Sequence, residues 1–171
     1  MWRLIATGLA AALVLPGFGS PSGDAVFRGP AIVLRYPDSL FVSNRPLNWW
    51  GNPAQRFVLS NYRVPGNRPN GNGDYTPPAT GVIAQLVEDV PPPDPDFKAP
   101  PRSKRFTLPK LTNRMEGFGK RWAEFSFRDH GRGFTLFIGV GRLAPASQVA
   151  LVLRTLDGLT IGAPPPSVTG A

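Results

Sequence analysis

Two segments of alternating side chains, joined by a short polar turn, constrain the fold of this chain more than any other feature. In "RWAEFSFRD" (121–129), Ala123, Phe125 and Phe127 share one face of a strand. In "GFTLFIGVG" (133–141), apolar side chains recur at every second position. The run "DHGRG" between them is rich in turn-forming residues, so the two segments predict an antiparallel β-hairpin.

Proline and glycine divide the rest of the chain into short pieces. Of its 171 residues, 21 are proline and 19 are glycine, which favours turns and irregular segments over a bundle of helices. Strands are predicted in four further segments: 31–43, as two strands around a tight turn, 55–64, 81–90 and 105–111. Residues 65–81 and the proline-dense residues 91–104 are predicted as loops.

One amphipathic helix is predicted over residues 145–158, either with Pro145 in its first turn or with Ser147 as its cap. Its apolar residues follow the spacing of one helical stripe: Val149, Val152, Leu153 and Leu156. Gly158 is expected to end the helix in the left-handed conformation, and residues 159–162 to return as a short strand. The predicted fold class is α+β, a single domain with an antiparallel β-sheet and a C-terminal amphipathic helix packed on it.

The first 25 residues have the pattern of a secretory signal peptide. Arg3 precedes an apolar run at 4–15, which is shorter than the roughly 20 residues that a membrane-spanning helix needs. The small residues Gly23 and Ala25 form a typical cleavage site, so the mature chain is predicted to start after Ala25. An uncleaved N-terminal anchor is the alternative.

The chain has no cysteine, and 42% of its residues are hydrophobic. A small secreted eukaryotic domain usually carries disulfides, so an exported bacterial protein with an apolar core fits this composition better. The predicted location is secreted or extracytoplasmic, in the periplasm or cell wall. No cysteine follows the apolar run to carry a lipid anchor.

The predicted mature chain is strongly basic. Removal of residues 1–25 takes away Arg3 and Asp24, so the net charge of +8 is unchanged. A charge of this sign is attracted to anionic surfaces such as lipid headgroups and wall polymers. A nucleic-acid partner is not predicted, because the arginines are scattered and form no recognisable reader motif.

His130 is the only histidine in the chain and lies beside Asp129 in the predicted turn. Serine hydrolases need a histidine that a carboxylate orients and a serine reaches. Adjacent residues of a tight turn are not expected to hold that geometry, and the G-x-S-x-G motif is missing. His130 is therefore predicted to be an exposed turn residue. Gly131 and Gly133 are expected to supply the positive φ angles of the turn, not a phosphate cradle.

Metal and cofactor sites are not predicted. One histidine and no cysteine exclude the usual zinc ligand sets. The run "NGNGDY" (70–75) is similar to the start of a calcium loop, but Tyr75 and Gly81 stand where that loop needs glycine and glutamate. A carboxylate pair of the glycosidase type is left open, because its spatial separation is what defines it.

The stretch "PLNWWGNP" (46–53) places Trp49 and Trp50 beside asparagine and glycine. In an extended chain the two rings point to opposite faces, so one is expected in the core and one at the surface. An exposed tryptophan can stack on a sugar ring or insert at a membrane interface. His130 and Arg132 complete the set of predicted binding residues.

Three motifs mark the order of the predicted elements: "RYPDSL" after a strand, "GRGFTLFIGVG" before the helix, and "LRTLDGLTI" at the end. Over residues 31–162 this order resembles the PsbP-like superfamily. It is also similar to the LpqN/LpqT-type mycobacterial lipoproteins, although this chain lacks their anchor cysteine and carries an unusual proline-rich insert. The resemblance implies an antiparallel sheet flanked by helices and an exported accessory or binding role, and it assigns no functional residue. The predicted parts are a signal peptide at 1–25, a PsbP-like α+β domain at 26–162 with loops at 65–81 and 91–104, and a disordered tail at 163–171.

The predicted function is that of an exported, non-enzymatic accessory or binding protein of a bacterial cell envelope. Its partner is expected to be an envelope polymer, an anionic membrane surface or another exported protein. One alternative is an exported hydrolase that uses carboxylates or His130. A second alternative is a secreted factor that binds another protein through the loops at 65–81 and 91–104.

Overall fold

The computed structural model describes residues 23–45, 47, 54–65, 75–89, 98–112 and 120–163. These residues form β-strands and one α-helix, which confirms the prediction that the fold contains both kinds of element. In chain order they are β1 (Asp24–Gly29), β2 (Ile32–Pro37), β3 (Phe41–Ser43), β4 (Ala54–Ser60), β5 (Val82–Glu88), β6 (Trp122–Asp129), β7 (Arg132–Val140), α1 (Ala146–Asp157) and β8 (Thr160–Ile161). Within the described residues, no helix is long and apolar enough to cross a membrane.

The strands form two antiparallel sheets rather than the one that the sequence predicts. One sheet has three strands in the order β1-β2-β8, and the other has five in the order β3-β4-β5-β7-β6. The chain passes from one sheet to the other at Pro37, the last residue of β2. The Leu40 N–H donates to the Pro37 carbonyl at 2.9 Å, and this tight turn directs β3 to pair with β4 instead of β2.

β6 and β7 form the predicted hairpin. Asp129 pairs with Arg132, which leaves His130 and Gly131 as a two-residue turn. Both turn residues have positive φ angles, 49° and 72°, as a type I′ turn requires. The expectation that Gly133 belongs to the turn is wrong: it lies within β7, and His130 supplies the other positive φ angle.

The main core joins side chains of both sheets and the helix. β5, the middle strand of the larger sheet, is buried along its whole length. Alternate side chains of β7 enter this core: Phe134, Leu136, Ile138 and Val140. α1 packs against β2 and β5, and its Val152 and Leu156 are buried in the same core. A smaller cluster on the other face of the larger sheet contains Val58, Ile83 and Trp122.

The ends of α1 differ in part from the sequence-based expectation. Pro145 has an extended backbone, with ψ 141°, and is the N-cap; Ser147 makes no capping hydrogen bond. Gly158 ends the helix with φ −80°, so the expected left-handed conformation is wrong. The Leu159 N–H donates to the Leu156 carbonyl at 3.0 Å, and this tight turn leads into β8 without a left-handed residue.

Residues 98–112 run beside the outer edge of β6 without the strand predicted at 105–111. Isolated bridges tie the segment to both ends of β6. Pro109 has no N–H to donate to a strand ladder. The Phe106 N–H donates to the Asp157 carboxylate at 2.6 Å. This part of the segment is therefore anchored to the end of α1 and not to a neighbouring strand.

β1 begins before the predicted mature domain. Asp24 lies opposite Pro37 in the β1–β2 register, and Ala25 lies opposite Tyr36. The predicted cleavage site follows Ala25. Asp24 and Ala25, which cleavage would remove, therefore belong to a paired strand.

Several predictions concern residues outside the described ones. The described parts of the two predicted loops, Pro65 with 75–81 and 98–104, contain no helix and no strand. The signal segment up to residue 22, the run at 70–74 and the tail from residue 164 lie outside the described residues.

Candidate functional site

An open groove of about 540 Å³ lies along β3, an edge strand of the five-stranded sheet. We call it the basic groove and define it by six of its lining residues: Phe41, Ser43, Arg45, Val58, Ser60 and Arg63. β3 is only three residues long, and no described strand lies beyond it. The groove is therefore open to solvent along its outer side.

The floor of the basic groove is formed by paired residues of β3 and β4. Phe41 lies opposite Ser60 in the register of the two strands. Ser43 lies opposite Val58, so all four side chains project from the same face. Val58 and Ser60 are buried, and the Ser60 hydroxyl donates to the Tyr62 carbonyl at 2.6 Å. The floor thus combines two apolar side chains with two serines, and the exposed Phe41 ring lies at its edge.

Two arginines, Arg45 and Arg63, are the charged residues in the described part of the groove lining. The Arg63 guanidinium carbon lies 5.4 Å from the centre of the Phe41 ring, a cation–π contact that holds the charge beside the groove. Arg45 is exposed; its N–H donates to Ser43 Oγ at 3.1 Å, and its carbonyl accepts from Gln55 Nε2 at 2.6 Å. No described carboxylate forms an ion pair with either arginine.

The loop that carries Arg63 is supported by two tyrosines. The hydroxyl oxygens of Tyr62 and Tyr75 are 3.0 Å apart, and Trp122 Nε1 donates to the Tyr75 carbonyl at 3.1 Å. Burial raises the pKa of Tyr62, and the hydrogen bond with Tyr75 raises it further. Burial also raises the pKa of Tyr75. Both hydroxyls are therefore neutral at physiological pH and act as hydrogen-bonding groups that fix the loop.

The chemistry of the basic groove is suited to binding an anion. A guanidinium donates two parallel N–H bonds to one carboxylate or phosphate group. Among the described residues of the groove lining there is no histidine and no carboxylate.

The predicted aromatic site, Trp49 and Trp50, lies outside the described residues, so its binding role stays a prediction. Phe41 lines the described part of the basic groove beside Arg63, and neither residue was predicted as a site residue. Phe41 begins β3 and Arg63 lies in the loop after β4, so periodicity within one strand does not reveal their contact. The available signal was an arginine and an aromatic residue near the ends of two predicted strands.

His130 lies at the tip of the hairpin, and its side chain is 55% exposed, as predicted. Its Nδ1 is 2.7 Å from Asp129 Oδ1, so the expectation that neighbouring turn residues do not pair in this way is wrong. His130 has a positive φ angle and is no longer part of the strand alternation that would separate the two side chains. Arg102 Nε donates to the other Asp129 oxygen at 2.6 Å and holds the carboxylate in place.

The Asp129–His130 pair has one feature of a catalytic dyad, a carboxylate-oriented imidazole. Among the described residues, however, the imidazole has no hydrogen bond to a serine, threonine or tyrosine hydroxyl. A hydrolase role for His130 stays a prediction.

Arg132 is buried, with 4% of its side chain exposed, and forms an ion pair with Glu88. It also donates to the carbonyls of Gly162 and Ala31, at 3.1 and 3.5 Å. Its guanidinium therefore faces acceptors of the protein rather than solvent. Arg132 and His130 lie in the same hairpin, but of the two only the His130 side chain is exposed to solvent.

Two adjacent carboxylates, Glu88 and Asp89, lie at the end of β5. Burial acts to raise the pKa of Glu88, but hydrogen bonds and charges from Arg132 and Arg56 outweigh it and hold that pKa below its usual value. Burial, aided by the Glu88 charge, raises the pKa of Asp89. Successive residues of an extended chain project to opposite sides, so these two do not form the facing pair that glycoside hydrolysis uses. In the described parts of the chain, no three potential metal ligands cluster.

Comparison with known proteins adds no relative. No protein-family model matches the chain, and no curated protein sequence is significantly similar to it. The PsbP-like resemblance therefore stays a prediction, and the functional interpretation depends on the geometry of the basic groove.

Proposed function

We propose that this chain is an exported, non-enzymatic accessory or binding protein of a bacterial cell envelope that holds an anionic, partly apolar ligand in the basic groove. One observation carries the proposal: Arg45 and Arg63 line an open groove together with apolar side chains, and the described residues of its lining include no carboxylate. The ligand class is a phosphate or carboxylate attached to a short apolar chain or ring.

The dimensions and the charges of the groove support this ligand class. A volume of about 540 Å³ falls within the range of small-molecule sites, about 300–1,000 Å³. Stacking on Phe41 restricts the Arg63 guanidinium before a ligand arrives, so less side-chain entropy is lost on binding. The apolar residues of the groove lining contact the apolar chain or ring of the ligand, and Phe41 offers an aromatic contact.

Export and membership of the PsbP-like superfamily are parts of the same proposal. The apolar N-terminal run and the net charge of +8 support export to an anionic envelope. The proposed domain is a single α+β unit whose C-terminal helix is amphipathic; the buried positions of Val152 and Leu156 support that description. The native partner is an envelope polymer, an anionic membrane surface or another exported protein.

A calorimetric titration with octyl phosphate tests the proposal, with octanol as the uncharged probe of the same chain length. We expect saturable binding of octyl phosphate at one site and much weaker binding of octanol. Arg63→Gln and Arg45→Gln each remove one charged hydrogen-bond donor group, so each is expected to weaken octyl phosphate binding about tenfold or more. Arg154→Gln, on the exposed side of α1, is the matched control and is expected to have no effect.

Two results would contradict the proposal. The first is the absence of saturable octyl phosphate binding, and the second is an equal loss of affinity in Arg154→Gln and Arg63→Gln. Release of inorganic phosphate during the titration would instead favour the hydrolase alternative, and His130→Ala would then show whether the imidazole takes part.

A further inference from the structure

The antiparallel order of the five-stranded sheet brings one set of strand ends together. β6 begins there after Lys120 and Arg121, and β7 ends there before Arg142 and Leu143. The Val140 N–H donates to the Arg121 carbonyl at 3.0 Å and joins the two sides. We call Lys120, Arg121, Arg142 and Leu143 the basic end.

The basic end carries three cations that have no carboxylate partner among the described residues. Salt bridges within the described chain involve other arginines, not Lys120, Arg121 or Arg142. Arg121 Nε donates to the Val140 carbonyl at 3.0 Å, which fixes its charge at the end of the sheet. Glu124, exposed on β6, is the described carboxylate nearest to them in the sequence, so this end keeps a positive charge.

Two carboxylates of the larger sheet lie at the opposite end. Glu88 ends β5 and Asp129 ends β6 there. These two carboxylates are already paired with three arginines: Arg56, Arg132 and Arg102. Asp38, in the turn before β3, is an exposed carboxylate on the side of the basic end. The carboxylates at the opposite end are thus offset by arginines, whereas the three cations of the basic end have no carboxylate partner among the described residues, and such cations attract an anionic surface.

Leu143 is 57% exposed, an unusual position for a large apolar side chain. Its turn is well anchored: the Leu143 N–H donates to the Ala79 carbonyl at 2.7 Å, and the Ala144 N–H donates to the Gly141 carbonyl at 3.1 Å. Gly141 lies so close to the Pro78 carbonyl that a side chain at this position would collide with it. The apolar side chain is therefore held outward on a fixed turn, directly after a cation.

We propose that the basic end docks on an anionic lipid surface, with Leu143 inserted at the headgroup boundary and its three cations against lipid phosphates. Each lysine or arginine beside an anionic leaflet strengthens binding about fivefold. Insertion of an apolar side chain adds a contribution that salt does not screen. None of these four residues belongs to the basic groove, so the proposal does not depend on the ligand of the groove.

Cosedimentation of the full chain with vesicles tests this proposal. Vesicles of phosphatidylglycerol and phosphatidylcholine in equal amounts are compared with vesicles of phosphatidylcholine alone, at low and at high salt. The chain is expected to bind the anionic vesicles and to be released in part by salt. Arg142→Gln is expected to weaken binding about fivefold, and Leu143→Ser to reduce the fraction that resists salt. The matched controls are Arg154→Gln on α1 and Val26→Ser on β1, since both native side chains are exposed elsewhere.

The proposal is overturned if the chain binds neutral vesicles as well as anionic ones, or binds neither at low salt. It is also overturned if Arg142→Gln and Leu143→Ser bind as the native chain does, or if the two control variants lose as much binding. Thermal unfolding of each variant shows whether a loss comes from the fold. The octyl phosphate titration measures binding in the basic groove. If the chain binds anionic vesicles but not octyl phosphate, only the proposed function is contradicted.

Discussion

Arg132 and Glu88 form a buried two-point ion pair within the five-stranded sheet, and Arg132 also ties that sheet to the chain after β8. Arg132 Nε is 2.7 Å from Glu88 Oε1, and Arg132 Nη2 is 2.6 Å from Glu88 Oε2. Both residues belong to the five-stranded sheet, but the same guanidinium donates to the carbonyl of Gly162, after β8, at 3.1 Å. Arg56 Nε donates to Glu88 Oε2 at 2.5 Å, so one carboxylate serves two arginines.

Glu88→Gln is expected to lower the free energy of unfolding by about 3 kcal/mol, because it leaves the buried Arg132 charge without its anion. Urea unfolding followed by circular dichroism measures this change. Arg56→Gln is expected to have a smaller effect, because the Arg56 side chain is more exposed than that of Arg132. Glu124→Gln, at an exposed position of β6, is the control. A loss for Glu88→Gln no larger than for this control would show that the ion pair does not stabilise the fold.

The stability of the chain is expected to decrease in acid through Glu88. Its pKa in the folded state lies below the ordinary value, since Arg132 and Arg56 outweigh the effect of burial. The stabilisation is therefore fully present above the pKa of an unfolded glutamate, about 4.3, and is lost as the pH falls through the lower folded pKa. Unfolding free energies measured between neutral pH and pH 3 should fall more steeply for the native chain than for Glu88→Gln. Parallel curves for the two proteins would contradict this assignment.

Asp89 is expected to have the opposite effect on stability. Burial, with the adjacent Glu88 charge, raises its folded pKa, and its Oδ2 is buried without a hydrogen-bond partner among the described residues. A raised carboxyl pKa means that the ionised form costs stability at neutral pH. Asp89→Asn should therefore increase the free energy of unfolding at pH 7, and the difference should shrink as the pH approaches 3. A decrease at pH 7 would indicate that the ionised carboxylate has a stabilising partner.

Gly139→Ala is expected to destabilise the chain by about 1–3 kcal/mol through overpacking. A Cβ at this position of β7 would lie 2.7 Å from the Trp122 ring, which is fully buried on the facing strand. Gly158→Ala is the control, because Gly158 has φ −80° and no side-chain collision. Thermal denaturation measures both variants. A loss for Gly139→Ala no larger than that for Gly158→Ala would contradict overpacking against the Trp122 ring.

The hairpin, the tight turn after β2 and the helix were predictable because each depends on neighbours in the sequence. Alternation of Phe134, Leu136 and Ile138 specifies a buried face whatever the rest of the chain does. The division into two sheets was not predictable, because β2 pairs with β8 from a distant part of the chain. Local preference likewise assigned both positive φ angles of the turn to glycine, whereas pairing of Asp129 with Arg132 places one of them at His130.

The basic groove was missed for a related physical reason. Its charge and its aromatic edge come from Arg63 and Phe41, which meet only because β3 pairs with β4. Arg132, in the predicted turn, was instead predicted to be a binding residue. Strand pairing places that guanidinium beside the buried Glu88 carboxylate, so its charge is used within the fold.

Processing at the predicted signal-peptide site is expected to precede folding of β1. The bond between Ala25 and Val26 lies inside β1, where these residues pair with Tyr36 and Arg35. A peptidase binds its substrate as an extended segment that is not paired with another strand. Pairing of β1 with β2 therefore protects this bond in the folded chain. Leader peptidase added to the folded full chain should leave the bond intact, and the same enzyme should cut a synthetic peptide of residues 12–35. Mass analysis of the products identifies the site. Equal cleavage of the folded chain and the peptide would show that β1 opens readily. Cleavage of the peptide before residue 23 would instead move the start of the mature chain, which would then retain the whole of β1.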